Sequence, residues 1–282
     1  MARLATEADP RGRTRVQILR SGWPLMLRTT LPREPDVVTG WVARDDVAQV
    51  HLTAAGAGPI GGDRLRLEVR VGQGSALILG EVSPTLLLPG PHGERSRTEI
   101  DIHVAAGATL AWLPELVIAA QDCRHRTDIR VTLHAGARLL LREEILFGRH
   151  QEQPGTFRQR LRVVRDHRPL YDQELAVGPG TPGWDGPAVT AGHRSAGTLL
   201  VVDPDGSAPA PATARAPHTA VMALAGPATM VSTLAPDTAT LRRRLDTALA
   251  RIVTGRRQAT VQRSPRGAGP AGIRVRVPPR RR

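Results

Sequence analysis

Read for polarity alone, residues 64–147 say the same thing three times. RLRLEVRVGQGSALIL begins at Arg64, RTEIDIHVAAGATLAWL at Arg97 and RTDIRVTLHAGARLLL at Arg126. Each copy opens on Arg and alternates apolar with polar residues. Each then places Gly at the eleventh position (Gly74, Gly107, Gly136) and Leu at the fourteenth (Leu77, Leu110, Leu139). Alternation of period two predicts a strand with one buried face. The Gly marks a tight reversal that needs positive φ, and the apolar run after it predicts a second strand. A unit of strand, turn and strand about 30 residues long cannot bury its apolar face alone. Stacked on its neighbours, it can. The predicted fold is all-β: a layered, β-helix-like or solenoid body of stacked strand-turn-strand repeats, with one or two C-terminal helices.

The flanks extend this pattern. DVAQVHLTA alternates before the repeats, and RQRLRVVRDHRPLYDQELAV after them reads as two strands joined by a turn at Asp166-His167-Arg168-Pro169. TAVMALAG predicts a further strand. DTATLRRRLDTALARIV predicts a helix over 237–253, with Asp237 at its N-cap and Leu241, Leu245, Leu249 and Ile252 on one stripe. Residues 1–15 read as a frayed N-terminus, 16–253 as a single β-rich domain, 203–217 as a Pro/Ala loop within it and 254–282 as a disordered Arg-rich tail.

Composition changes this picture in two places. The aromatic share is only 2%, so the core has to be built from Val, Leu, Ile and Ala. The net charge of +13 invites a nucleic-acid reading, but residues 254–282 hold nine Arg and no acid, which leaves +4 for residues 1–253. All 39 basic residues are Arg, and the chain has neither Lys nor Asn. That bias points to a GC-rich genome as much as to selection for anion binding. A solenoid module holding nucleic acid through its Arg tail stands as the alternative function. One cysteine, Cys123, excludes an internal disulfide and fits a reducing compartment. The first residues lack an apolar secretory core, and no window is apolar enough to span a bilayer, so a soluble cytoplasmic protein without membrane contact is expected.

Enzyme signatures fail one by one. Gly56, Gly58 and Gly61 match a dinucleotide fingerprint, but Pro59 interrupts it and a strand follows where a helix is required. Cys123 and His125 make one potential ligand pair without the second pair that a closed zinc site takes. No HExxH or G-x-S-x-G occurs, and one Tyr with two Phe gives no stacking platform for bases. No catalytic residue is assigned and no enzymatic activity is expected. What remains is a recurrence of acids. Asp63 precedes the first repeat, while Glu81, Glu115 and Glu143-Glu144 follow the second strands of successive repeats. They are either solvated strand ends or hard oxygen ligands along a path for a divalent cation.

GAGPIGGD, AGATLAWLPE, ARLLLREEILFGR, RDHRPL and GTLLV, in that order over residues 47–203, resemble the urease accessory protein family UreD, also called UreH. The resemblance implies a non-enzymatic maturation factor with a β-helical fold. It implies partners UreF, the GTPase UreG and apo-urease, no specific nucleic acid, no tightly bound cofactor and nickel as transient cargo on an internal path. By position, Asp63 matches the acid of the family's Gly-Gly-Asp and Glu143 the acid five residues before Gly148. Both are candidate contacts for nickel, with Glu81, Glu115 and Glu174 behind them; Glu174 and Asp172 flank Gln173, where some relatives carry an acid. Thr85-Leu86-Leu87-Leu88-Pro89 departs from a polar, lysine-containing stretch of the family, which removes the ground for carrying over that segment's role.

Overall fold

A computed structural model describes residues 1–31, 36–204 and 217–263, with side chains to Thr254. The chain opens with strands β1 (Ala2–Ala8), β2 (Thr14–Arg20) and β3 (Leu25–Thr29), the short helix α1 (Val37–Val42) and β4 (Ala48–Ala54). The three repeats follow. The first is β5 (Arg64–Val71), β6 (Ala76–Glu81) and β7 (Thr85–Leu87), and the second is β8 (Ser96–Val104), β9 (Thr109–Leu113) and β10 (Val117–Ala119). The third is β11 (Arg124–Leu133) and β12 (Arg138–Phe147). Then come β13 (Thr156–Arg165), β14 (Arg168–Val177), β15 (Ser195–Val202), β16 (Thr219–Ala223), β17 (Ala228–Ala235) and α2 (Thr238–Arg263).

Each repeat is one coil of a β-solenoid. Its first strand joins a seven-stranded sheet ordered β14-β13-β11-β8-β5-β1-β2, and its second joins a sheet containing β16-β17-β15-β12-β9-β6-β4-β3. The equivalences read from the sequence are hydrogen-bonded neighbours. Arg64 pairs with Arg97 and Arg97 with Arg126, while Leu77 pairs with Leu110 and Leu110 with Leu139, all in parallel. The turns stack as well. Gly74, Gly107 and Gly136 have φ of 66°, 63° and 68°, and the amide of each of the first two donates to the next coil, at Ala106 and Ala135. A β-branched residue could not hold that conformation without strain.

The core follows from the register. On the inner face of the first sheet Leu4, Val69, Ile102, Val131 and Val163 form one buried row across five strands. Leu77, Leu110, Leu139 and Val202 answer it from the other sheet. At roughly 2 kcal/mol per fully buried aliphatic side chain, such rows are the main driving force of the stack. The outer faces differ. The first sheet turns ion pairs such as Arg66–Asp101 (3.2 Å) and Arg97–Asp128 (3.0 Å) to solvent. The second is roofed by α1 and α2, whose Trp41, Leu241, Leu245 and Leu249 pack on Ile78, Ala111, Leu140 and Val201.

Two expectations change. The frayed stretch of residues 1–15 is β1 and the start of β2: Leu4 alternates into the core, and β1 pairs with β5 in parallel. The helix expected to end at 253 runs on to Arg263, so residues 254–263, read from composition as tail, are helical. The Pro/Ala loop, apart from its ends, and residues 264–282 lie outside the described residues. Asp237 caps α2 as expected, accepting from the Thr240 amide at 2.6 Å. The β13–β14 turn carries positive φ at Asp166 and His167.

Candidate functional site: a buried polar layer

The alternation that fills the core stops being apolar at one level of the stack. Along β11 the inward positions run Leu133, Val131, Ile129 and then Thr127 and His125. Along β12 they run Leu139, Leu141, then Glu143, then Ile145 and Phe147. Thr98, Thr127 and Gln159 are in-register partners on neighbouring strands, so they form a polar row along the solenoid axis. This row has the main core on one side and a smaller apolar cluster of Leu87, Cys123, Ile145, Phe147 and Phe157 on the other.

Glu143 sits at the heart of this layer. Its carboxylate accepts from Gln159 Nε2 at 2.7 Å and from Thr198 Oγ1 at 3.0 Å. Burial pushes it up to about 7, against the smaller opposing effect of the Thr198 hydroxyl. Glu81, at the end of β6, lies two strand spacings away, about 9.6 Å at the usual 4.8 Å per strand. It keeps some exposure at a mouth, yet desolvation of its carboxyl also raises it to about 7, and it accepts from the Glu115 amide at 3.2 Å. Both groups are therefore part-protonated at neutral pH.

His125 is held by two hydroxyls, Ser96 Oγ at 2.8 Å on Nδ1 and Thr127 Oγ1 at 3.1 Å on Nε2. Burial lowers it to about 4, so the ring is neutral. Cys123 faces the apolar cluster instead, and burial raises its thiol to about 11. His125 stacks on Phe157 of that same cluster, 6.3 Å between ring centroids, while its nitrogens are taken up by the two hydroxyls. Among the described residues, no group of three or more His, Cys, Asp or Glu is arranged to hold a metal ion.

Three cavities meet at these acids. An interior one of about 100 Å³, room for several waters, is lined by Glu81, Glu115, Glu143, Glu144, Thr98, Thr127, His125 and Gln159 among apolar neighbours. A second, of about 650 Å³ beside α1 and α2, shares Glu81 and Glu115 with it. A third, of about 350 Å³ between β14, β15 and β17, shares Glu143 and Gln159 and adds Tyr171 and Glu174. On the helix side Arg242 of α2 donates to Glu115 at 2.9 Å and to both oxygens of Glu144 at 3.1 Å.

The sequence candidates separate accordingly. Glu81, Glu115 and Glu143 come together around the interior cavity. Glu174 reaches only the third cavity and is paired with Arg126 and Arg158, each at 3.4 Å. Asp63 lines none of these three cavities; its carboxylate accepts from the Ile60 amide at 2.9 Å and closes the turn before β5. Thr98, Thr127, Gln159 and Arg242 were not singled out from the sequence. The signal for the first three was present as hydroxyl and amide residues at inward positions of alternating strands. Arg242 carried none, because one Arg in a run of three on an Arg-rich helix looks like any other.

The fold and its cavities define a class: a β-solenoid with a buried acidic layer bordered by cavities. The family model described as UreD urease accessory protein matches residues 1–266. The chain is 43% identical to urease accessory protein UreD 3 of Streptomyces griseus subsp. griseus, over 89% of this chain and 96% of that protein. It is 40% identical to urease accessory protein UreD of Streptomyces avermitilis over 89% and 96% of the two chains, and 40% to that of Frankia alni over 88% and 91%. The chain belongs to the UreD family of urease accessory proteins. Among the described residues no helix is long and apolar enough to cross a membrane.

Proposed function

We propose that this chain is a non-enzymatic urease maturation factor of the cytoplasm. It assembles with UreF and the GTPase UreG on apo-urease and conveys nickel through its polar layer. The observation that carries this reading is the sharing of acids between cavities: all three acids line the interior one, Glu81 and Glu115 also line that beside the helices, and Glu143 also lines that beside β14. A passage running through all three would lead from the helix side of the body to the face beside β14. A divalent ion entering an apolar interior faces a large desolvation cost, which spaced carboxylates and waters offset. Carboxyls poised near neutrality suit that task. Protonated, they leave no unpaired charge in the empty passage; on arrival of a cation they release the proton, and they take one back when it leaves.

The test is nickel content. In a strain lacking this chain, urease polypeptide accumulates at its usual level but nickel-poor and inactive, and the gene supplied on a plasmid restores both. Urease with its normal nickel complement in the deletion strain refutes the reading.

A further inference from the structure

His193 and His218 stand outside the polar layer, yet their rings approach to 4.3 Å between centroids at an interplanar angle of 55°. Two imidazoles bound cis to one ion, with metal–nitrogen distances near 2.0–2.1 Å, place their centroids about 4.5–5 Å apart. The centroid separation is thus close to that of two ligands on one ion. Stacking alone does not account for the way His193 is held. Its Nδ1 lies 3.0 Å from the Thr190 carbonyl oxygen, which can only accept, so Nδ1 carries the proton and Nε2 presents its lone pair. Thr190 is itself fully buried, its hydroxyl donating to the Trp184 carbonyl at 2.9 Å, and Trp184 packs edge-on against Phe147. His218 sits in the left-handed region (φ 56°), fixed by its carbonyl accepting from the Leu234 amide at 2.9 Å.

The geometry points to a two-histidine site for a first-row divalent transition-metal ion between His193 and His218, with water completing the coordination. Imidazole nitrogen suits Ni²⁺, Zn²⁺ and Cu²⁺ and disfavours Ca²⁺ and Mg²⁺. Two protein ligands make a site that loads and releases readily. It lies beside the cavity that Glu143 shares: Val189 and Leu234 line that cavity, four residues before His193 and bonded to His218 respectively. That the ion held there is the nickel passed through the interior rests on the function proposed above; the binding itself does not.

Calorimetric titration of the full-length, tag-free chain with nickel chloride, joined to X-ray absorption at the nickel edge, tests the site. The wild type binds one nickel at the pair with two imidazole ligands. His193→Ala and His218→Ala each lower affinity by about tenfold or more and leave one imidazole, and the double variant is little worse than either single one. His103→Ala, on the outward face of β8, keeps wild-type affinity. Full affinity in either single histidine variant, or an absorption spectrum without paired imidazoles, overturns the site. Lost nickel delivery in Glu143→Ala with intact histidine binding separates the passage from the pair, and normal delivery in Glu143→Ala with binding lost only on histidine replacement sinks the passage alone.

Discussion

Two levels of the same interior obey opposite rules. At the level of Ile102 every inward position is aliphatic, and each coil contributes one more methyl-rich rung. One inward step along the strands, past Ile129, the rungs become Thr98, Thr127 and Gln159 facing Glu143. Strand geometry, register and burial hardly differ between the two. What differs is whether each rung brings its own partner. The aliphatic level needs none, while the polar level is satisfied by hydrogen bonds, one of which, Gln159 to Glu143, crosses from sheet to sheet. A fold held by repetition can therefore carry a buried acidic layer, provided that apolar layers above and below hold the coils in register.

The sharpest way to break this contrast is to move a carboxylate from one level to the other. Ile102→Glu puts an acid among Val69, Val131 and Leu110 with no donor to meet it. The expected cost exceeds about 5 kcal/mol, comparable to the whole stability of a domain, so circular dichroism and soluble yield should report no folded protein. Removing a partner from an acid costs less. Arg242→Ala leaves Glu144, 1% exposed at its side chain, with Arg142 alone at 3.1 Å. A loss of about 3 kcal/mol is expected in denaturant unfolding, and Arg242→Met, which restores the packing without the charge, should recover only part of it.

Neutralising an acid in the polar level should have the reverse sign. The folded value for Glu143 is raised to about 7 from an ordinary 4.5, so the folded state binds the proton more tightly than the unfolded chain. Stability then falls as pH rises from about 4.5 to 7 and stays flat above. Glu143→Gln keeps both hydrogen-bonded partners and removes that slope, so it should raise stability at pH 8 by up to about 3 kcal/mol and leave it unchanged at pH 4. Equal pH profiles for the two proteins would remove Glu143 from the account. Asp63, a turn-closing acid, should behave as neither level does: Asp63→Ala lowers stability by about 1 kcal/mol and leaves nickel delivery near normal. Smallest of all, removing residues 264–282 should leave the melting temperature within about 1 °C while reducing salt-sensitive retention on DNA.

Much of the solenoid was legible, because its information is local and repeated. The spacing of Gly74, Gly107 and Gly136 foretells both the turns and the ladder that stacks them. The N-terminal strand was not, since the apolar residues of MARLATEADP are mostly Ala and do not alternate; β1 is fixed by pairing with β5, more than sixty residues away. The helix end was missed for a related reason, as Gly255 and the arginines after it look like a stop in composition. For the site, the acids were visible but their company was not. Glu143 and Glu81 share a cavity because two strands sit in register, and Asp63, equally prominent in the sequence, is spent on a turn.

Nickel bound per urease is the measurement closest to the central claim. Urease is purified from cells expressing the Glu81→Ala/Glu143→Ala double variant, beside a pull-down of the chain with UreF and UreG. The account predicts that the complex assembles as in wild type while nickel loading slows by about tenfold or more. Loading at the wild-type rate with the complex intact would contradict it and reduce the acidic layer to a structural feature of the fold.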